Sequence, residues 1–253
     1  MNIISPSYSQ DELLICMLAR ELRDHEVIGV GNNSPVPAAA ALLAKALQAP
    51  SAILYILGQP GWPFEGTGEF FNLMQRGGID VFFLSGAQID AYGNINLHVI
   101  GNYNQPKVRL PGGAGSAIVY FMCKRILLFK TDHNAKGFPE ELDFATSVSS
   151  SQPYVHRPSQ LAGLFTPLGI FRPAAITKEA EAGRLQLTHT APGVQAHFVQ
   201  AQTNFDLKLA ASGEPIPETA APSAEELATL RGVVSGQLEQ IYPEFARQTF
   251  SKV

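Results

Sequence analysis

The stretch Val27-Ile28-Gly29-Val30-Gly31-Asn32-Asn33-Ser34-Pro35-Val36-Pro37, followed by Ala38 to Ala41, decides how this chain folds. Val27–Val30 is a short β-type run that stops at Gly31. Residues 37–47 are rich in Ala and Leu and read as a helix. The same grammar then repeats. Residues 52–57 form a second apolar run closed by Gly58. A short helix is expected over residues 70–76, before Gly77 and Gly78. Val81–Leu84 is a third run, closed by Gly86, and residues 117–122 and 126–129 read as two more. Continuous apolar runs separated by helical pieces predict an α/β fold: an open, mostly parallel sheet with helices on both faces. Ligands of such sheets bind at the carboxyl ends of the strands, so the loops after Val30, Leu57 and Leu84 are the first places to look.

Outward from this repeat, Ser9 and Glu12 have capping-box spacing, and Leu13, Leu14, Met17, Leu18 and Leu22 recur at helical intervals. Residues 147–160 are rich in Ser and Pro and read as a long loop. Three further core segments follow, at residues 164–171, 185–188 and 194–201. Residues 210–222 are rich in Pro and Ala and read as a surface connector. Ser223 and Glu226 repeat the capping-box spacing and open a C-terminal helix expected to reach about Ile241. The expectation is one domain over residues 1–253.

Bulk properties narrow the function classes. The net charge is −4 and no Lys/Arg block stands out, which argues against a nucleic-acid partner. The longest apolar runs fall far short of the roughly 20 residues of a membrane-spanning helix. With no leader-like segment, a cytoplasmic protein is expected. Cys16 and Cys123 are too few for a disulfide framework and sit in apolar surroundings, as buried thiols do. His98, His133 and His189 are scattered, and no metal-ligand spacing is present. His133, between Asp132 and Asn134, reads as a hydrogen-bonded turn residue rather than a general base.

Three glycine-centred motifs remain. In Gly29-Val30-Gly31-Asn32-Asn33-Ser34-Pro35, glycines let backbone amides approach a ligand, and a helix N-terminus follows. On these residues alone a tight structural turn is equally acceptable. In Gly112-Gly113-Ala114-Gly115-Ser116, three glycines in four positions strip side chains from a loop, as close packing on a ligand requires; Ser116 is a candidate cap for the next element. The third, residues 86–96 with Gln88, Asp90, Asn94 and Asn96, suits a turn whose side chains satisfy backbone groups.

In this order the three motifs resemble the β subunits, or C-terminal halves, of family I coenzyme A transferases, which include glutaconate and 3-oxoacid transferases and non-transferase relatives. Residues 124–126, 143–147, 166–171, 192–194 and 203–205 resemble the later segments of that family, so the resemblance spans about residues 27–207. It implies a heteromeric enzyme with an α-like partner subunit, an acyl-CoA substrate, and no covalently bound cofactor: coenzyme A enters as part of the thioester.

The family's transferases attack the acyl-CoA with a glutamate at the end of the second strand, forming a covalent thioester. The matching stretch here is Tyr55-Ile56-Leu57-Gly58-Gln59-Pro60-Gly61, which contains no carboxylate. The resemblance therefore implies a β-like subunit with hydrolase, lyase or decarboxylase chemistry. Gly29, Gly31, Asn32, Gly112, Gly113, Ala114 and Gly115 are the expected coenzyme-binding positions. Gln59 is expected to supply an amide donor to the reacting group. Alternatives are a true transferase with its nucleophile relocated to Glu65 or Glu69, and a non-catalytic stabilising subunit.

Overall fold

The computed structural model describes residues 8–152, 154–174, 183–209 and 215–250. They fall into two compact units: residues 1–63 with 220–253, and residues 64–219.

The first unit begins with α1 (Gln10–Ala19). Ser9 caps it: its hydroxyl accepts the Glu12 amide, and the Glu12 carboxylate accepts the Ser9 amide. Every α1 residue from Glu12 to Ala19 is buried, so the helix is covered nearly all round. β1 (Val27–Val30) leads into α2 (Pro35–Leu47), and β2 (Ile53–Ile56) pairs with β1 in parallel, Val27 opposite Ile53. The C-terminal residues return to α1 through two buried or half-buried ion pairs. Arg231 Nε donates to Glu12 at 2.7 Å, and Arg20 binds Glu226 with two nitrogens, at 2.8 and 2.7 Å. Such two-pronged pairs fix orientation as well as distance.

The second unit starts with α3 (Thr67–Gln75) and β3 (Val81–Leu84). Two hairpins follow: β4 (Gln88–Ile89) with β5 (Ile95–Asn96), and β6 (Val99–Gly101) with β7 (Pro106–Arg109). Then come α4 (Ser116–Met122), β8 (Arg125–Phe129), β9 (Gln160–Thr166), β10 (Gly169–Pro173), β11 (Leu185–Thr190) and α5 (Ala196–Ala201). Its main strands lie in the order β11-β10-β9-β8-β3. β3, β8 and β9 are parallel, while β10 and β11 are antiparallel. The mostly parallel α/β architecture expected from the glycine-closed runs is present, with an antiparallel margin.

Several expectations change. Residues 117–122 are helix, not strand. Ser116, Val119 and Tyr120 are buried while Ile118 is 40% exposed, a spacing of three and four that only a helix gives. Ser116 is the first residue of α4 rather than its cap; Gly115 holds that place, and the Ser116 hydroxyl pairs with Ser147 at 2.8 Å. Residues 164–171 are two strands joined at Pro167 and Leu168, where the Thr166 hydroxyl accepts the Leu168 amide at 3.2 Å. The C-terminal segment is α6 (Ala224–Thr229), one π-helical turn (Leu230–Val234), and α7 (Ser235–Leu238), with α8 (Pro243–Phe250) beyond it. Of the 210–222 connector, residues 210–214 lie outside the described residues.

Candidate functional site

In the first unit, Gly29 lies buried inside β1 opposite Tyr55, and Gly31 and Asn32 begin the turn into α2. That turn is closed by its own groups. Asn32 Oδ1 accepts the Asn33 amide at 3.0 Å, and the Asn32 carbonyl accepts the Ser34 hydroxyl at 3.1 Å. Asn33 adopts φ of 50°, a left-handed conformation that Asn tolerates. Pro35 then starts the helix, where its missing amide proton costs nothing.

β2 ends at Ile56, and the turn at residues 57–61 follows. Gln59 folds back on it: Oε1 accepts the Ile56 amide at 3.2 Å, and the Gln59 amide donates to the Ile56 carbonyl at 3.0 Å. This use of the side-chain oxygen leaves Nε2 outside the turn's own bonding. Gly58 and Gly61, at φ of 95° and 73°, make the bend without strain.

In the second unit, Glu65 and Glu69 are both exposed, and Glu69 accepts the Glu65 amide at 2.9 Å. Glu69 sits in the first turn of α3, and this bond ties the preceding loop to the helix.

The 112–115 loop is built by close packing. A Cβ on Gly113 would lie 2.5 Å from Thr146 Cγ2, and one on Gly115 would lie 2.1 Å from Phe71 Cζ. A side chain at either position would have to displace its neighbour, so both glycines serve the packing of the loop. Ala114 is exposed at φ of 43°. The Gly112 amide donates to Leu97, but the amides of Gly113, Ala114 and Gly115 make no hydrogen bond among the described residues. Successive free amides around a left-handed residue form a concavity suited to an anionic oxygen.

Around this loop lie groups that the motif reading did not single out. His98, half-buried, bonds through Nδ1 to Thr146 Oγ1 at 2.7 Å. Its ring packs on Phe144 at 4.8 Å, Phe144 stacks on Tyr103 at 5.1 Å, and the Arg109 guanidinium covers Tyr103 at 4.9 Å. Beside α4 a cleft of about 470 Å³ is lined by Ala117, Ile118, Phe121, Met122, Thr146 and Val148, with Arg157 among its walls. All the donor nitrogens of Arg157 are engaged by neutral oxygens of residues 120, 148, 150, 151 and 159, which hold the guanidinium in place against the cleft wall. No sequence signal marked this cleft, because its walls come from α3, α4 and the 147–160 loop.

The third motif is a polar turn turned inward. Asp90 accepts the Tyr92 and Asn94 amides at 2.9 Å and the Asn94 side chain at 2.8 Å. Asn96 donates to Gln88, and Gln88 donates to Asp143, each at 2.7 Å. His133 is hydrogen-bonded, as its polar neighbours suggested: it lies between Thr166 and Thr203 at 2.8 and 3.0 Å and packs against Phe138 at 4.1 Å. Burial pushes its pKa down to about 4, against the smaller pull of Asp132, so it stays neutral near pH 7. Cys16 and Cys123 are buried free thiols whose pKa burial raises to about 12. Among the described residues no cluster of His, Cys, Asp or Glu could hold a metal ion, and no helix is long and apolar enough to cross a membrane.

The family model for coenzyme A transferase matches residues 12–202. The B subunit of the 3-oxoadipate CoA-transferase of Pseudomonas knackmussii is 33% identical over 256 residues, covering 90% of this chain and 94% of that protein. Two solved structures share the fold. Glutaconate coenzyme A-transferase from Acidaminococcus fermentans superposes with a TM-score of 0.74 at 21% identity, over 98% of each chain. The decarboxylase AibA/AibB superposes with a TM-score of 0.72 at 21% identity, over 95% of this chain and 98% of that one. With a family model over most of its length and a full-length relative at 33% identity, this chain belongs to the coenzyme A transferase family.

Proposed function

We propose that this chain is the β-like subunit of a heteromeric enzyme that binds an acyl-CoA thioester and carries out hydrolase, lyase or decarboxylase chemistry rather than acyl exchange through its own carboxylate. The observation that carries the reading is the turn after β2. Residues 55–61 contain no carboxylate, and Gln59 is held there with its oxygen spent on the Ile56 amide. An amide cannot form the acyl anhydride and thioester of covalent transfer, whereas its N–H can stabilise a developing oxyanion. Gly31 and Asn32 in the first unit, and Gly112, Gly113, Ala114 and Gly115 in the second, are each proposed as backbone contacts for the coenzyme or the thioester carbonyl. The free amides of residues 113–115 support this role. The likeness to the B subunit of a transferase, and to the fold of AibA/AibB, supports an α-like partner subunit that completes the site.

The test is chemical trapping. The chain, co-purified with its partner, is incubated with acyl-CoA and then with borohydride or hydroxylamine, and each subunit is read by mass spectrometry. No carboxylate of this chain is expected to be modified, and a labelled glutamate in it would overturn the reading.

A second reading, a true transferase with a relocated nucleophile, is favoured by the 33% identity to a CoA-transferase. It places the nucleophile at Glu65 or Glu69. Both are exposed, and Glu69 already accepts the Glu65 amide. Full exchange activity after Glu65→Gln and Glu69→Gln together would eliminate it.

A further inference from the structure

We propose that His98 is a substrate-facing hydrogen-bond donor at the 112–115 loop, presenting Nε2–H to a carbonyl or carboxylate oxygen of the acyl group; this rests on the acyl-thioester reading above. The argument begins with the proton. Thr146 Oγ1 already accepts the Leu97 amide at 2.8 Å. Its own hydroxyl proton has one acceptor among the described residues, His98 Nδ1 at 2.7 Å. In the pairing we infer, that proton goes to Nδ1, which leaves the ring's own proton on Nε2. That edge of the ring faces the glycine loop: a Cβ built on Gly112 would lie 3.9 Å from Nε2, and one on Gly113 would lie 3.6 Å from Cε1. At Gly112 the ring edge is the only group within 4 Å of that Cβ position, so this side of Nε2 is clear of other side chains, whereas at Gly113 Thr146 and Ser116 fill the space.

The ring is also fixed before any ligand arrives. Phe144 packs on it at 4.8 Å and is itself stacked on Tyr103. The backbone on either side is pinned, with the Gly112 amide donating to the Leu97 carbonyl and the Leu110 amide to the His98 carbonyl, both at 2.9 Å. Nε2 has no hydrogen-bond partner among the described residues, and neither have the amides of residues 113–115. A positioned donor beside three unspent amides needs no reorganisation to meet an oxygen, which is how a preorganised site stabilises one.

The experiment uses the chain co-purified with its partner and two probes, an acyl-CoA thioester and free CoA, titrated calorimetrically. His98→Phe keeps the ring on Phe144 and removes the donor. It is expected to weaken acyl-CoA binding about tenfold, the size of one hydrogen bond, and to leave free CoA unchanged. His98→Gln restores an N–H and is expected to recover most of the loss. Thr146→Val, which frees the tautomer, is expected to weaken only the thioester. Nitrogen-15 NMR of the wild-type imidazole should show the proton on Nε2 and a shift of that nitrogen with acyl-CoA but not with CoA. A proton on Nδ1, an unchanged His98→Phe variant, or equal losses for both probes would overturn the proposal. The spectrum needs no variant, so it decides even where His98→Phe fails to fold. Wild-type protein that binds neither probe would remove the acyl-thioester reading itself. Wild-type binding with unaffected variants would remove only the role of His98.

Discussion

The turn at residues 86–96 and the loop at residues 112–115 are both rich in glycine, yet they treat their polar groups in opposite ways. In the first, Asp90 and Asn94 bond one another, as do Gln88 and Asn96, and they also bond nearby backbone, so all four side chains are engaged within the fold. In the second, the glycines admit Thr146 and Phe71, and three consecutive amides and one histidine nitrogen remain unspent. A buried polar group without a partner is costly, so a fold that satisfies its polar groups completely is holding itself together. Unspent donors at a half-open surface mark the place where a ligand is expected. The inventory of hydrogen bonds separates the two roles where glycine content alone does not.

The comparison is broken most severely at Gly93. It sits at φ of 77°, and a Cβ there would meet Leu161 Cδ2 at 2.4 Å and Leu128 Cδ1 at 3.3 Å. Gly93→Ala is expected to cost about 3 kcal/mol, combining backbone strain with overpacking. Urea denaturation of this variant should show a lower midpoint with little change in slope.

His133 extends the inward, fully spent pattern and makes it depend on pH. Its folded-state pKa of about 4 lies below the ordinary value of 6.5. Between those values the unfolded chain binds more protons, so stability is complete above about pH 6.5 and falls as the pH drops toward 4. The loss is on the order of 3 kcal/mol at the acid end. Thermal midpoints measured from pH 7 to 4 should show it, and His133→Gln should flatten the profile.

Asp90→Ala removes the acceptor for two amides and one side chain, and is expected to cost about 2 kcal/mol. Acyl-CoA affinity per folded molecule should stay unchanged, in contrast to His98→Phe. A loss of affinity in Asp90→Ala would erase the distinction between the two loops.

Gln59→Glu is the mildest and the most pointed change. The carboxylate can still accept the Ile56 amide, so stability should move by less than about 0.5 kcal/mol. The Nε2–H donor is lost, so turnover should fall while folding does not. Unchanged turnover would leave Gln59 as a turn residue and nothing more.

Much of the scaffold was legible in the residues. The caps at Ser9 and Ser223 are local, and both are found as the spacing implied. The strands Val27–Val30 and Val81–Leu84 were bounded by glycines and stand with those bounds. Residues 117–122 were not legible, because a six-residue apolar run fits a strand or a helix equally well until burial picks out Val119 and Tyr120. The break between β9 and β10 falls at Pro167 and Leu168, inside what read as one segment. The hairpins β4–β5 and β6–β7 have strands of two to four residues, too short for any periodicity to register.

By itself the sequence determined the α/β alternation, the family's order of glycine motifs, and the absence of a carboxylate from residues 55–61, because each of these is a property of neighbouring residues. Tertiary structure alone decided which polar groups are spent. Gln59 is occupied by Ile56 within one turn, but Thr146 reaches His98 across 48 positions of the chain and Asp143 reaches Gln88 across 55. Whether a donor is free for a substrate depends on partners that distant, and only folding brings them together.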